Sequence, residues 1–252
     1  MVHAEEFEAR QRARESFHSL RVLPGAWTVI RVDGRGFSRL TEQRFDKPFD
    51  ARFCDLMVVT AQTLLTELGA RYAYTASDEI SILLDPASDL FGRGVEKLVS
   101  ISAGIAAAAF TQAAAEAAHF DSRLWVGVGV EDVADYFSWR QSDATRSALN
   151  GWCYWALRKT GQSPRQASHT MQGVGTADKT TLLLRHGITF DDLPSWQRRG
   201  VGLWRETAEH PGFDPVRGTP VVTTRRRTRT ERELPEKDAY RQLVTALATG
   251  QR

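Results

Sequence analysis

The sequence is poor in cysteine, in lysine and in long apolar runs. Two of its 252 residues are cysteines, Cys54 and Cys153, with neither CxxC spacing nor a histidine pair beside them. That argues against a disulfide framework and against a structural zinc site, and makes the cytoplasm the expected compartment. The longest apolar-rich stretch, ISAGIAAAAFTQAAAEAA, is dominated by alanine and interrupted by Gly104, Gln112 and Glu116. The N-terminus, MVHAEEFEARQRARES, alternates acids and bases. Neither reads as a membrane span or a signal peptide, so no membrane partner is expected. None of the six histidines stands at helical spacing from another as a metal-binding pair would.

What the chain does carry is enough apolar content, 42% with 10% aromatic, to bury a sizeable core in one large domain or two small ones. Its formal charge of +2 conceals an asymmetry: up to Asp135 there are 14 Lys and Arg against 20 Asp and Glu, and after it 19 against 11. An acidic first half suits cations, and a basic second half suits a polyanion such as nucleic acid. Only five of the 33 basic residues are lysines, so arginine-rich coding is an equally good source of the overall bias. The run Arg225, Arg226, Arg227, Arg229 and Arg232 is more pointed, although it also reads as an edge strand protected by charge.

The local patterns alternate between the two periods. AWTVIRV at 26–32 is a β-branched run stopped by Asp33-Gly34-Arg35-Gly36, a strand feeding a Gly-rich turn. From Phe49 apolar residues recur every three or four positions up to Gly69, an amphipathic helix with a C-terminal glycine. YAYTA and EISILLD are separated only by Ser77 and Asp78, which predicts a tight hairpin. A helix over 95–118 and a strand LWVGVGV at 124–130 follow. The order is βαββαβ: an α+β, palm-type, ferredoxin-like domain over residues 1–135, with two helices on one face of an antiparallel sheet and the other face free for a site. Residues 136–252 read as a mainly helical, basic, nucleotide- or RNA-handling region with short strands. Its helices are predicted at 136–159, from Pro164 with Ser163 as N-cap, at 179–185 and at 236–248, and TAEHPGFDPVRGT at 207–219 is expected to be a mobile loop.

In a βαββαβ fold the end of the first strand lies beside the hairpin between the second and third. This brings Asp33 next to Asp78 and Glu79. Adjacent carboxylates repel unless cations neutralise them, and magnesium prefers such oxygen ligands with waters and phosphate oxygens. Two ions held this way stabilise both oxygens of an in-line phosphoryl displacement. Read singly, each motif is equally well a turn, because Asp and Gly favour turns.

These residues also carry a resemblance. RVDGRGFSRLTEQRFDKPFDARF (31–53), TASDEISILL (75–84), FGRGVEKLVS (91–100), FDSR (120–123), DYFSWRQSDA (135–144) and QGVGTADKTTLLL (172–184) together resemble the tRNA-His guanylyltransferase family and its 3′-to-5′ polymerase-like relatives. The resemblance covers most of residues 25–205. It implies a palm like that of ordinary polymerases used in the opposite direction, with the 3′-hydroxyl of an incoming nucleotide attacking an activated 5′ end of RNA. A 5′-monophosphate is first activated by ATP, and AMP leaves on attack. Asp33, the Gly34 carbonyl and Asp78 match the ligands of two Mg2+ ions, with Glu79 beside them as a third catalytic position. Arg35, Gly36, Phe37, Lys47, Asp50, Ser77, Lys97 and Arg140 fall where the family binds the nucleoside triphosphate, GTP or ATP. Without the resemblance, Lys97 and Arg140 read as a solvated helix face. It further implies an RNA acceptor, tRNA above all, and a homo-oligomer, a tetramer or a dimer.

The chain departs from the family at four places. Ala144 to Asn150 replaces a His-Ile-Asn-Asn segment, Lys179-Thr180-Thr181 reduces a Lys-Asn-Glu motif, Phe49 replaces an asparagine, and Ser38 stands where a histidine is common. The metal chemistry is retained, and the acceptor is left open between tRNA-His and another 5′-phosphorylated RNA in need of repair. Two rivals remain: a nucleotidyl cyclase-like palm enzyme, against which the missing paired glycines at Thr75 to Glu79 argue, and a non-catalytic RNA-end-binding protein, against which the retained aspartates argue. The seven tryptophans, Trp139, Trp152 and Trp155 among them, could stack on bases, although Trp152 and Trp155, three apart on a helix, read rather as core.

Overall fold

Strands and helices follow one another as the two periodicities predict. The first half contains α1 (Val2–Arg12), β1 (Trp27–Gly34), α2 (Phe37–Arg44), α3 (Ala51–Glu67), β2 (Tyr72–Ala76), β3 (Glu79–Leu83), α4 (Val95–Ala114) and β4 (Phe120–Gly127). The second contains α5 (Val130–Lys159), α6 (Pro164–Met171), α7 (Thr176–Arg185), α8 (Ser195–Arg199), β5 (Val201–Asp214), β6 (Thr219–Glu231) and α9 (Lys237–Thr249). The computed structural model describes residues 2–214 and 217–251.

The sheet is antiparallel throughout, in the order β4-β1-β3-β2-β5-β6. Its first four strands are the expected βαββαβ palm, and β5 and β6 extend it beyond β2. Side chains alternate between two cores, as the pleat requires. Ile30, Val32, Ala73, Ile80 and Ile82 pack under α3 and α4 with Met57, Leu64, Leu65 and Phe110. Val29, Tyr72, Tyr74 and Leu83 pack on the opposite face with Phe137 of α5 and Tyr240 and Val244 of α9. The second face is therefore not free, as the sequence suggests, but largely covered by α5 and α9. Each fully buried Leu, Ile or Phe contributes about 1.5–3 kcal/mol, so covering this face is a major source of stability.

Several boundaries shift for identifiable reasons. β4 is Phe120–Gly127 rather than 124–130: it pairs only with β1, and an edge strand tolerates the polar Asp121, Ser122 and Arg123 that mask its alternation. Gly129 is the N-cap of α5, with Val128 and Gly129 N–H groups both donating to the Asp132 carboxylate at 2.9 Å, so that helix begins at Val130 and not at Tyr136. α2 occupies a segment to which the sequence patterns assign no element, opening on Gly36 in the left-handed region (φ 77°). The stretch 207–219 is not a loop on the sequence's terms: residues 207–214 pair with 219–226 in a two-stranded ladder running beyond the short β2 contact of 201–204. Residues 215 and 216 of this stretch lie outside the described residues. Ser163 does cap α6, accepting from the Gln166 amide, while the Gln166 side chain accepts from the Ser163 amide at 2.8 Å.

Candidate active site

Asp33 is paired in register with Glu79 on one side and Asp121 on the other, near the end of β1. The Gly34 amide donates to the Asp78 carbonyl at 3.0 Å, and the Arg35 amide donates to the His119 carbonyl at 2.8 Å. These bonds tie the DGRG turn to the hairpin and to the start of β4, so Asp33, Gly34, Asp78 and Glu79 form one cluster. Gly34 is required there by packing, since a Cβ would lie 2.4 Å from the Phe37 ring. Phe37 is 2% exposed and wedged among Phe53, Phe110 and Phe120, with centroids 6.0, 5.0 and 5.0 Å away. It forms part of the floor of the adjoining cleft as well as of the core.

The hairpin turn is Ser77-Asp78, because Ala76 pairs with Glu79. Ser77 adopts a left-handed backbone (φ 55°), which costs a non-glycine residue on the order of 1 kcal/mol. Its hydroxyl donates to Asp78 Oδ1 at 3.0 Å and so fixes that carboxylate. Burial pushes the Asp78 carboxyl above its usual value, the Ser77 bond opposes this, and the charge of Asp33 adds to the push. A carboxylate short of water and facing another is one that a cation would relieve.

Two compartments flank the cluster. On one side is a cleft of about 340 Å³ between α2, α3, α5 and α8, lined by Phe45, Phe49, Trp155 and Trp196 together with Lys47 and Asp78. Lys47 Nζ donates to Thr41 Oγ1 at 2.5 Å, and burial draws its ammonium below the ordinary lysine value against the pull of Glu42 and Asp78. Trp155, expected in the core, lines this cleft; Trp152 packs instead on Phe49, ring centroids 6.3 Å apart. Asp50 lies on the rim with its oxygens engaged: it caps α3 by accepting from the Arg52 amide at 2.8 Å, accepts from the Asp46 amide at 2.9 Å, and meets the Arg52 guanidinium, which holds its carboxyl well below the usual range.

On the other side is an open shelf on the second sheet face. Arg140 of α5 donates to both Glu79 oxygens, at 2.7 and 2.8 Å, and to Asp143 at 3.0 Å. Arg31 approaches Glu79 at 3.6 Å. Burial pushes the Glu79 carboxyl up against the pull of these guanidiniums. Arg123, opposite Arg31 on β4, completes the shelf. Arg31, Arg123 and Asp143 lie within the quoted motifs but are given no role there; the two-residue spacing of Arg31 from Asp33 along β1 and the three-residue spacing of Asp143 from Arg140 on α5 are the signals that could have found the first and the last.

One expected residue is not brought to the cluster. Lys97 is exposed near the start of α4, whose neighbour Leu98 lies with Thr28 and Leu84 at the far end of β1. Strand rise alone puts that level on the order of 16 Å from Asp33, because α4 crosses the sheet and reaches the Asp33 end only at its C-terminus. Arg35 and Gly36 sit exposed on the turn above the cluster. Among the described residues no group of three or more His, Cys, Asp and Glu side chains converges as a metal cage. The oxygen-only set of Asp33, Asp78 and the Gly34 carbonyl nevertheless suits magnesium, which needs one or two carboxylates and keeps its remaining places for water and phosphate.

Comparison with known proteins agrees with this geometry. Residues 8–128 match the family model described as tRNAHis guanylyltransferase, and residues 131–247 match the Thg1 C terminal domain. The probable tRNA(His) guanylyltransferase of Mus musculus is 33% identical over 201 residues, 74% of this chain and 67% of that protein. The tRNA(His) guanylyltransferase of Debaryomyces hansenii is 30% identical over 239 residues, 89% and 86% of the two chains. Among solved structures, a bacterial tRNA(HIS) guanylyltransferase (Thg1)-like protein in complex with GTP has a TM-score of 0.75 at 26% identity, covering 96% of this chain and 99% of that one. The chain belongs to the tRNA-His guanylyltransferase family, the nucleotidyltransferases that add nucleotides to tRNA 5′ ends in the 3′-to-5′ direction.

Proposed function

We propose that this chain uses magnesium to transfer a nucleotide from GTP or ATP onto the 5′-phosphorylated end of a tRNA. The observation that carries the reading is the carboxylate pair Asp33 and Asp78, set between an aromatic cleft and an open shelf of paired arginines and carboxylates. Asp33, Asp78 and the Gly34 carbonyl hold the ions, with Glu79 beside them. When bound, magnesium supplies charge neutralisation for the triphosphate and a lowered pKa for the attacking 3′-hydroxyl. Lys47 contacts phosphate oxygens from inside the cleft, and the aromatic walls exclude water from the base. Glu79 fixes the Arg140 fork so that the shelf keeps its charge in place.

The acceptor reading also draws on the second half. A groove between α5, α6 and α7, lined by Arg165, His169 and Lys179, shares Tyr154 with the cleft. Beyond it, β6 presents exposed Arg225, Arg226 and Arg227 on the hairpin. Positions 144–150 lie in α5 with Ala148 and Leu149 buried and the Thr145 hydroxyl donating to the Arg198 carbonyl at 2.9 Å. Side chains used for packing here favour an acceptor range wider than tRNA-His, including 5′-truncated tRNAs. A homo-oligomer, tetramer or dimer, is part of the same reading and is checked by sedimentation velocity.

The test is incubation with labelled GTP or ATP, magnesium and 5′-triphosphorylated tRNA, comparing tRNA-His with truncated tRNAs of other identity. Asp33→Ala and Asp78→Ala are expected to lose about two orders of magnitude or more of incorporation. Full activity in either variant would overturn the metal assignment.

A further inference from the structure

Trp139 is 51% exposed, although its neighbours Tyr136 and Phe137 on α5 are 4% and 0% exposed. The ring is nonetheless held in place. The Arg140 guanidinium lies 4.6 Å from its centroid, that of Arg31 5.9 Å, and Tyr136 packs edge-on at 5.8 Å. Arg140 is in turn held by two hydrogen bonds to Glu79, and Arg31 lies 3.6 Å from the same carboxylate. Arg31 stands two residues before Asp33 on the same sheet face, about 7 Å along the strand. The ring therefore neighbours the arginines that stand next to Asp33 and Glu79 on this face, on the side away from the aromatic cleft. Merely covering the Arg140–Glu79 pair would not require half of a tryptophan to remain in water.

A transfer that joins two substrates at one carboxylate pair needs a seat for each. The cleft is walled by Phe45, Phe49, Trp155 and Trp196 and takes one. The shelf offers the complementary chemistry: a solvent-facing indole with guanidiniums around it and, to meet phosphate, the half-exposed Arg123 beside Arg31, one nitrogen of which meets Asp121 at 2.9 Å. Nucleobases stack on such a surface whatever their sequence, because every base has a π-face.

We propose that Trp139 is the stacking platform for the 5′-terminal base of the RNA acceptor, positioning its 5′ phosphate between Arg123 and Asp33. This inference rests on the 5′-end transfer proposed above. Trp139 is a positioning residue that touches the acceptor but not the incoming nucleotide.

The test is equilibrium binding, in magnesium, of a 5′-triphosphorylated tRNA with its terminal base present and of the same RNA made abasic at that nucleotide. Trp139→Ala is expected to weaken the base-bearing RNA about tenfold, down to the affinity the wild type shows for the abasic RNA. It should leave the abasic RNA and GTP affinities unchanged. Trp139→Phe should restore most of the loss. In turnover the defect should appear in KM for RNA and not in KM for GTP. Equal weakening of both RNAs would show that the ring only supports Arg140, and no weakening of either, or a loss confined to GTP, would equally overturn the proposal. A change in sedimenting mass would assign the ring to contact with a second copy. Trp139→Leu replaces the alanine variant if that fails to fold, since it keeps apolar bulk without the π-face. Binding is read without turnover, so a wild type that binds both RNAs but incorporates nothing sinks the transfer reading and leaves the stacking comparison intact.

Discussion

Replacing Arg140 by alanine strands Glu79, whose side chain is 15% exposed, without its bidentate partner. Breaking a fully buried ion pair from one side costs about 3–5 kcal/mol. Arg31 remains 3.6 Å from Glu79 and keeps part of the compensation, so the lower end, about 3 kcal/mol, is expected. For a chain of this size that lowers Tm by about 6–12 °C. Glu79→Gln is the milder change. The amide still accepts from one Arg140 N–H, and Arg140 retains Asp143 at 3.0 Å and the Trp139 ring at 4.6 Å, so about 1–2 kcal/mol is expected. Arg140→Lys keeps the charge without the planar fork and should fall between the two. Urea denaturation at neutral pH, followed by far-UV circular dichroism, measures all three, with unchanged m values showing that stability alone has moved. A loss under about 1 kcal/mol for Arg140→Ala, or a loss for Glu79→Gln as large as for Arg140→Ala, would refute the view that the carboxylate is the group that burial penalises.

Three further outcomes follow from packing and burial. Burial pushes both thiols up to about 11, so near pH 8 only about one in a thousand is thiolate and reactivity rises only as the pH approaches that value; native protein should react with Ellman's reagent far more slowly than a free thiol, denatured protein should show both, and rapid native labelling at pH 8 would count against this. Tyr240→Phe leaves the buried Tyr72 hydroxyl without the partner it has at 3.1 Å and should cost about 1–2 kcal/mol, whereas the double variant with Tyr72→Phe should cost less than the single one; a strictly additive pair would be evidence against the bond. Gly34→Ala drives a Cβ into Phe37, which its ring neighbours prevent from yielding, so about 1–3 kcal/mol of stability and most nucleotide incorporation should be lost together; a variant with normal activity would show that the turn relaxes at no cost.

The palm was legible because each of its elements carries a local signal: β-branched runs for β1 to β3, a 3.6-residue period for α3, and glycines or a two-residue turn between them. The carboxylate cluster was legible for the same reason, since topology alone sets β1 beside the β2–β3 hairpin. What escaped depends on side chains whose partners lie far along the chain. β5 and β6 join the sheet through Thr75 and Val201, over a hundred positions apart in sequence. Covering the second face needs Tyr240 against Tyr72 and Tyr74, and the aromatic spacing of YAYTA fits one buried face as well as two. Lys97 was placed by its motif, and the motif does not encode the angle at which α4 crosses the sheet. Arg31 and Arg123 carry no local signal of a role, and only the register sets them opposite each other.

That register also explains why the site lies where it does. Along β1 the face toward α5 carries Val29, Arg31 and Asp33 in succession; Val29 is fully buried, whereas Arg31 and Asp33 are only partly so. α5 thus seals the sheet at Val29 and meets it with charge at Arg31, where Trp139 lies over the guanidinium, two residues short of Asp33. On the opposite side the Ser77 turn directs Asp78 into the aromatic cleft. The same two carboxylates can then be reached from two directions by two different substrates. A single deep pocket would bring both through one mouth; on the function proposed above, a sheet end with a hairpin turn beside it would separate the triphosphate from the RNA terminus while keeping both within reach of one carboxylate pair.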